Sequence, residues 1–274
     1  KPMLPTLISH VNNISIKYLH APGLVFQTIK LIAKEIQTNY VVFSGDDDYL
    51  IPKNMNKFIK FLDINKEYSG VFGDAYIFEI YKKYIFGQGS YKFIINKKNN
   101  PFERVNFHLS KNYTVNIFAI QKKKIFQKML NYCVNKKSEF KCPQRAISEE
   151  LLPTTMLSAL GKYTHIKKFY LIRTVGHDRI VQKTKFDDYK DKKSINYLYN
   201  SVKNEINFKN HKKLKKTMNN FFYNKNYKNP TAMKMLIGKL FYFIKKFFPI
   251  IYFVIYEIKY FNNFYRNYVK KNIL

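Results

Sequence analysis

The stretch that most constrains this chain is Tyr40-Val41-Val42-Phe43-Ser44-Gly45-Asp46-Asp47-Asp48, a continuous apolar run that stops on three adjacent carboxylates. An unbroken apolar run of this length predicts a strand covered on both faces, as in a parallel sheet. Three neighbouring Asp side chains repel one another and add nothing to a core. They are tolerable where a hard cation neutralises them, and Mg2+ or Mn2+ prefers such oxygen ligands, often shared with substrate phosphates. Ligands of open parallel sheets lie just beyond the carboxyl ends of the strands, which is where this triplet falls. A solvated acidic turn is the plain alternative.

The flanking periodicities predict an α/β fold. Phe26, Ile29, Ile32, Ala33 and Ile36 recur at three- and four-residue steps, the spacing of an amphipathic helix leading into the strand. Pro52 suits the first turn of a second helix, on which Met55, Phe58, Ile59 and Leu62 share one face. A strand around Val71 and Phe72 follows, then a strand over Tyr113 to Ile120 and a helix over Lys122 to Val134 that buries Ile125, Met129, Leu130 and Cys133. A third helical stretch covers Ala146 to Leu160. Pro153 implies a kink or a later start in it, and Gly161 suits a left-handed cap at its end. Thr164 to Thr174 reads as a strand. Helix, strand, helix and strand at these short spacings predict a mostly parallel sheet with right-handed crossovers.

With 274 residues, 46% of them hydrophobic, the chain can bury one sizeable core, and one main domain over residues 1–183 is expected. Beyond Lys183 the chain becomes charge-rich without clear core periodicity, so 184–274 is expected to be a basic, aromatic-rich helical appendage. Its uncharged stretch Phe247 to Tyr256 is too short to span a bilayer, which needs about 20 residues. An interfacial helix with snorkelling lysines and a helix packed on the main domain are the two readings of this region. The formal charge of +31 comes from Lys spread along the whole chain rather than clustered, which argues against a nucleic-acid partner. It still suits anionic substrates and an anionic inner leaflet. Cys133 and Cys142 match no zinc or redox spacing and read as reduced cytoplasmic thiols.

Tyr40 to Pro52 as a whole resembles the strand-DxD-x-x-x-Pro signature of GT-A glycosyltransferases, especially bacterial members of glycosyltransferase family 2. Phe61 to Gly73 resembles the stretch that continues from that motif into the next strand, and Glu149-Glu150-Leu151 and Tyr170 to Arg173 resemble the later, acceptor-side part. The resemblance covers roughly residues 14 to 180 and implies a Rossmann-like GT-A domain. Lys1 reads straight into a strand-like run, and fewer than fifty residues precede the acidic triplet. The expectation is therefore that the chain begins partway into the domain, without the strand and loop that bind the nucleotide base.

The resemblance further implies inverting transfer of a sugar from a nucleotide-diphosphate donor to a hydroxyl acceptor, a glycan or a lipid-linked one. The setting it implies is surface polysaccharide or glycoconjugate synthesis in the cytoplasm, peripheral to the inner face of the membrane. Asp48 would be the direct ligand of Mn2+ or Mg2+, with Asp46 and Asp47 sharing the metal and the nucleotide. Glu149 or Glu150 would take the proton of the attacking hydroxyl; acidic side chains in a first helical turn also have a purely structural use, through the helix dipole. Some GT-A enzymes use a late His as a further metal ligand, a role open to His177, which is otherwise a solvated loop residue. Arg173 and Arg179 could grip the diphosphate bidentately or simply lie at the surface. Asp74 could face the donor sugar or acceptor, or form a turn. The rival readings are a metal-dependent phosphoryl or nucleotidyl transferase, for which a Gly-rich phosphate loop is missing from the sequence, and a non-enzymatic basic membrane-surface protein.

Overall fold

Two long strands organise the chain, and both are drawn from aromatic and β-branched segments. They are β3 (Tyr68–Tyr81) and β6 (Lys162–Gly176). The computed structural model describes residues 25–45, 48–81, 84–91, 93–110, 115–134, 147–176 and 192–223, with five further positions between 243 and 251. The remaining strands are β1 (Tyr40–Val41), β2 (Asp48–Leu50), β4 (Tyr84–Tyr91) and β5 (Ile120–Lys122). The helices are α1 (Val25–Ala33), α2 (Met55–Ile64), α3 (Pro101–Leu109), α4 (Lys123–Val134), α5 (Leu152–Leu160), α6 (Lys192–Val202) and α7 (His211–Tyr223).

The α/β class is as expected, but the sheet is mixed. Its order is β1-β5-β3-β6-β2, with β4 continuing alongside β3, and only the β3–β6 pairing is parallel among the described residues. The strand after α1 and the strand after α2 run the same way without touching, because β5 lies antiparallel between them, pairing Tyr40 with Lys122 and Gly70 with Gln121. Strand β5 is also shorter and later than expected. Asn116–Phe118 is a 3-10 turn and only Ile120–Lys122 pairs, because Tyr170 donates its hydroxyl hydrogen to the Phe118 carbonyl at 2.9 Å and the backbone there turns instead of extending.

Helix α2 buries the face predicted for it. Phe58 and Leu62 are fully buried, with Met55 and Ile59 partly so, and Pro52 opens the 3-10 turn that leads in. Helix α4 likewise buries Met129 and Leu130, while Cys133 is a free, half-buried thiol whose packing pushes its pKa up. At the start of β1, Tyr40 donates its hydroxyl hydrogen to Asp63 at the end of α2; desolvation first, and that carboxylate second, push its pKa up to about 12. Helix α3 is not among the expected elements, although Asn100-Pro101-Phe102-Glu103 carries the signal. The Asn100 side chain accepts from Phe102 N–H at 2.8 Å, and proline occupies the first turn.

Pro153 is accommodated by a change of helix type, since Ile147–Leu151 is a π-turn and α5 begins at Leu152. Gly161 does not adopt the left-handed cap. Its φ is −174° and its ψ 175°, so it is extended backbone, and it is glycine because an added Cβ would lie 1.5 Å from Ser69 Oγ and 2.3 Å from Ser69 Cβ. Gly161→Ala is therefore expected to cost about 2–3 kcal/mol by overpacking, read as a lower urea midpoint, and the added Ser69→Gly substitution should restore most of it. Gly73 is held by a similar approach. A Cβ there would meet the Lys168 carbonyl at 2.3 Å, where β6 bulges between His165 and Phe169.

One apolar cluster joins the sheet to helices α1 to α7. Ile195, Leu198, Val202, Leu214 and Met218, all beyond the expected boundary at residue 183, are buried in it together with Val71, Met129 and Leu157. A smaller cluster forms around Tyr76 and Phe169, with Ile51, Phe78 and Ile172 against it. Among the described residues no helix is long and apolar enough to cross a membrane.

Candidate functional site

Strand β2 is a three-residue edge strand that begins on Asp48, the last residue of the acidic triplet, and its pairing with β6 places Asp48 opposite Arg173. The Asp48 side chain is 1% exposed and Arg173 14%. Arg173 Nε donates to Asp48 Oδ1 at 3.2 Å, and Gly45 N–H donates to Oδ2 at 3.3 Å. The other side of the guanidinium lies over the Phe118 ring, 3.8 Å from its centroid. An aromatic face and a buried carboxylate together fix a cation in one orientation, and a desolvated cation–π contact contributes about 2 kcal/mol.

The 3-10 turn Asn116–Phe118 is the hub of this region. Phe118 also packs against Phe43 at the exit of β1, with ring centroids 5.9 Å apart. Asn116 Nδ2 donates to Ser158 Oγ at 2.7 Å and to the Thr154 carbonyl at 3.5 Å, which docks the turn on α5. One turn earlier, Thr154 Oγ1 donates to the Glu150 carbonyl at 2.9 Å, so the acidic pair stands at the head of the helix that the hub touches. Asp48, Arg173 and the backbone that carries Glu150 are thus linked through a single chain of contacts. Sequence reasoning missed Asn116 and Phe118 because a Val-Asn-Ile-Phe run reads as a strand and cation–π pairing leaves no periodic signal.

The other predicted residues divide as follows. Asp46, Asp47, His177, Arg179 and Cys142 lie outside the described residues, and Glu149 is described only as backbone of the π-turn. Arg173 is engaged by Asp48 and Phe118. Asp74 lies within β3 rather than in a turn at its end, and His165 Nε2 is 2.8 Å from its Oδ1 across the β3–β6 pairing, both side chains about one-quarter exposed.

A divalent ion is what the triplet implies. Among the described residues no three carboxylate, imidazole or thiol groups converge. Asp48, as placed, fits a guanidinium rather than an ion, since it is enclosed, charge-neutralised by Arg173 and bonded through both oxygens. Neither a protein-family model nor a curated protein matches the chain.

Proposed function

We propose that this chain is a glycosyltransferase that moves a sugar from a nucleotide-diphosphate donor to a hydroxyl acceptor. The observation that carries the reading is the Arg173 guanidinium, clamped between Asp48 and Phe118 and linked through Asn116 to the helix headed by Glu149 and Glu150. A diphosphate leaving group gains negative charge as the glycosidic bond breaks, and a cation fixed beforehand by its surroundings stabilises that charge without reorganising. Arg173 has that character.

In this reading the donor diphosphate lies against Arg173, and Asp48 acts through Arg173 by holding it in place. Mn2+ or Mg2+ belongs to the proposal with Asp46 and Asp47 as its carboxylates, and when bound would supply Lewis-acid stabilisation of the same leaving group. The acceptor hydroxyl gives its proton to a carboxylate of the Glu149-Glu150 pair as its oxygen attacks the anomeric carbon. A positioned base of this kind contributes about 10²–10⁴-fold. The inverting outcome follows from one direct displacement with no protein nucleophile.

The test is turnover of a panel of nucleotide sugars with Mn2+ or Mg2+ by the wild-type chain, Asp48→Asn and Glu150→Gln. Metal-dependent release of nucleoside diphosphate is expected, lowered about 100-fold or more in each variant, with the thermal midpoint of Glu150→Gln unchanged because that side chain is only half-buried. If the folded wild-type chain neither binds nor turns over any donor, the reading is wrong.

A further inference from the structure

We infer that the segment bearing Phe243, Phe247, Phe248 and Ile251 is a docking surface for an anionic lipid bilayer. The inference is independent of the proposed reaction. These four side chains are 50%, 56%, 51% and 53% exposed, four large apolar groups within nine residues. Among the described residues the other exposed large hydrophobics are single, such as Ile64 and Phe208, or no more than a neighbouring pair, Leu31 and Ile32, and are ordinary for a protein surface. Here they form a patch. The Phe243 ring lies 4.7 Å from Phe247 and 6.5 Å from Phe248, centroid to centroid. Phe248 N–H donates to the Ile244 carbonyl at 2.7 Å, a helical bond that sets Phe243 with Phe247, and Ile244 with Phe248, on neighbouring positions of one face.

The charge of the surrounding sequence selects the occupant. From Lys234 to Leu274 the sequence holds eight Lys or Arg and a single acidic residue, Glu257; in sequence order Lys239 precedes Phe243, and Lys245 and Lys246 fall between Phe243 and Phe247. Apolar rings that enter the boundary between headgroups and acyl chains, combined with lysines that stay with anionic headgroups, are the chemistry of an interfacial segment. A neutral apolar groove on a partner protein would gain from the rings and nothing from the lysines. Nucleic acid would gain from the lysines and less from aliphatic Ile251.

The chain contains no Trp, so one tryptophan introduced at Phe247 is an unambiguous reporter. The full chain carrying Phe247→Trp is mixed with phosphatidylcholine vesicles, with or without phosphatidylserine, at low and physiological salt. A blue shift with phosphatidylserine vesicles, its quenching by brominated acyl chains, and binding weakened about 10-fold or more by Phe243→Ser with Phe248→Ser are expected. Weakening by salt without complete loss is also expected, since the apolar part is not screened. Because the substituted side chains are half exposed, circular dichroism should match wild type. An indole emission unmoved by anionic vesicles would overturn the inference. So would a blue shift without vesicles that grows with protein concentration, which would show a second copy on the patch, or equal binding by the double-Ser chain, which would leave charge alone as the cause.

Discussion

Arg104→Met is expected to lower the unfolding free energy by about 4 kcal/mol, because backbone carbonyls would lose hydrogen bonds from a charged donor, each of a kind that contributes about 1.5–3 kcal/mol. Arg104 is 6% exposed on α3. Its Nε donates to the Ser158 carbonyl at 2.9 Å and its Nη2 to the Ala159 carbonyl at 2.6 Å, both in the last turn of α5, where helix carbonyls lack intrahelical partners. Its Nη1 donates to the carbonyls of Lys98 and Asn99 at 3.1 and 2.5 Å. The guanidinium thus caps one helix and closes the loop before another, and its positive charge sits at the negative end of the α5 dipole. Desolvation lowers its pKa, but every partner is an acceptor and the cation remains. Methionine keeps the length and leaves the carbonyls of Ser158 and Ala159 without their buried donor. Lysine keeps the charge but not the fork, so Arg104→Lys should recover less than half of the loss. Urea unfolding measures both, and a change under about 1 kcal/mol in Arg104→Met would show that water or neighbouring donors replace the fork.

Stability should also fall steeply in mild acid, through His108. This side chain is 2% exposed near the end of α3, and burial pushes its pKa down from 6.5 to about 3. Between those values the unfolded chain binds a proton that the folded chain refuses. Unfolding is then favoured as pH falls, by about 1.4 kcal/mol for each pH unit. The contribution of neutral His108 is complete above pH 6.5, declines below it, and has been lost by about pH 3. From pH 7 to pH 5 the expected cost is about 2 kcal/mol, and His108→Leu should lack this component while retaining the other histidines. Urea midpoints for the two chains across that range decide the matter, because parallel pH profiles would exclude His108 as the responsible group.

The legible parts of this chain are those whose signal is local. The apolar spacing of Met55, Phe58, Ile59 and Leu62 survives in α2, that of Met129 and Leu130 in α4, and the extended run from Thr164 to Thr174 lies within β6. The cap at Asn100-Pro101 was equally readable, and it accounts for the start of α3. Other features have no local signature. Gly161 follows a helix and so looks like a left-handed cap, yet the demand on it comes from Ser69 on a distant strand. The triplet reads as a metal site on its chemistry alone, but the partner that neutralises Asp48 lies 125 residues away in sequence.

By itself the sequence determined the helices and strands whose apolar periodicity is strong and local, such as α2, α4 and β6, because periodicity acts within a few residues. The apolar run Tyr40 to Phe43 was expected as a strand covered on both faces in a parallel sheet, but only Tyr40–Val41 pairs, half-buried at the sheet edge and antiparallel to β5. Only the tertiary structure decided the strand order, with β5 inserted antiparallel between β1 and β3, and brought Arg173 between Asp48 and Phe118 and Asn116 onto α5. Those choices rest on which distant surfaces pack best together, and a buried charge then takes whichever partner that packing delivers.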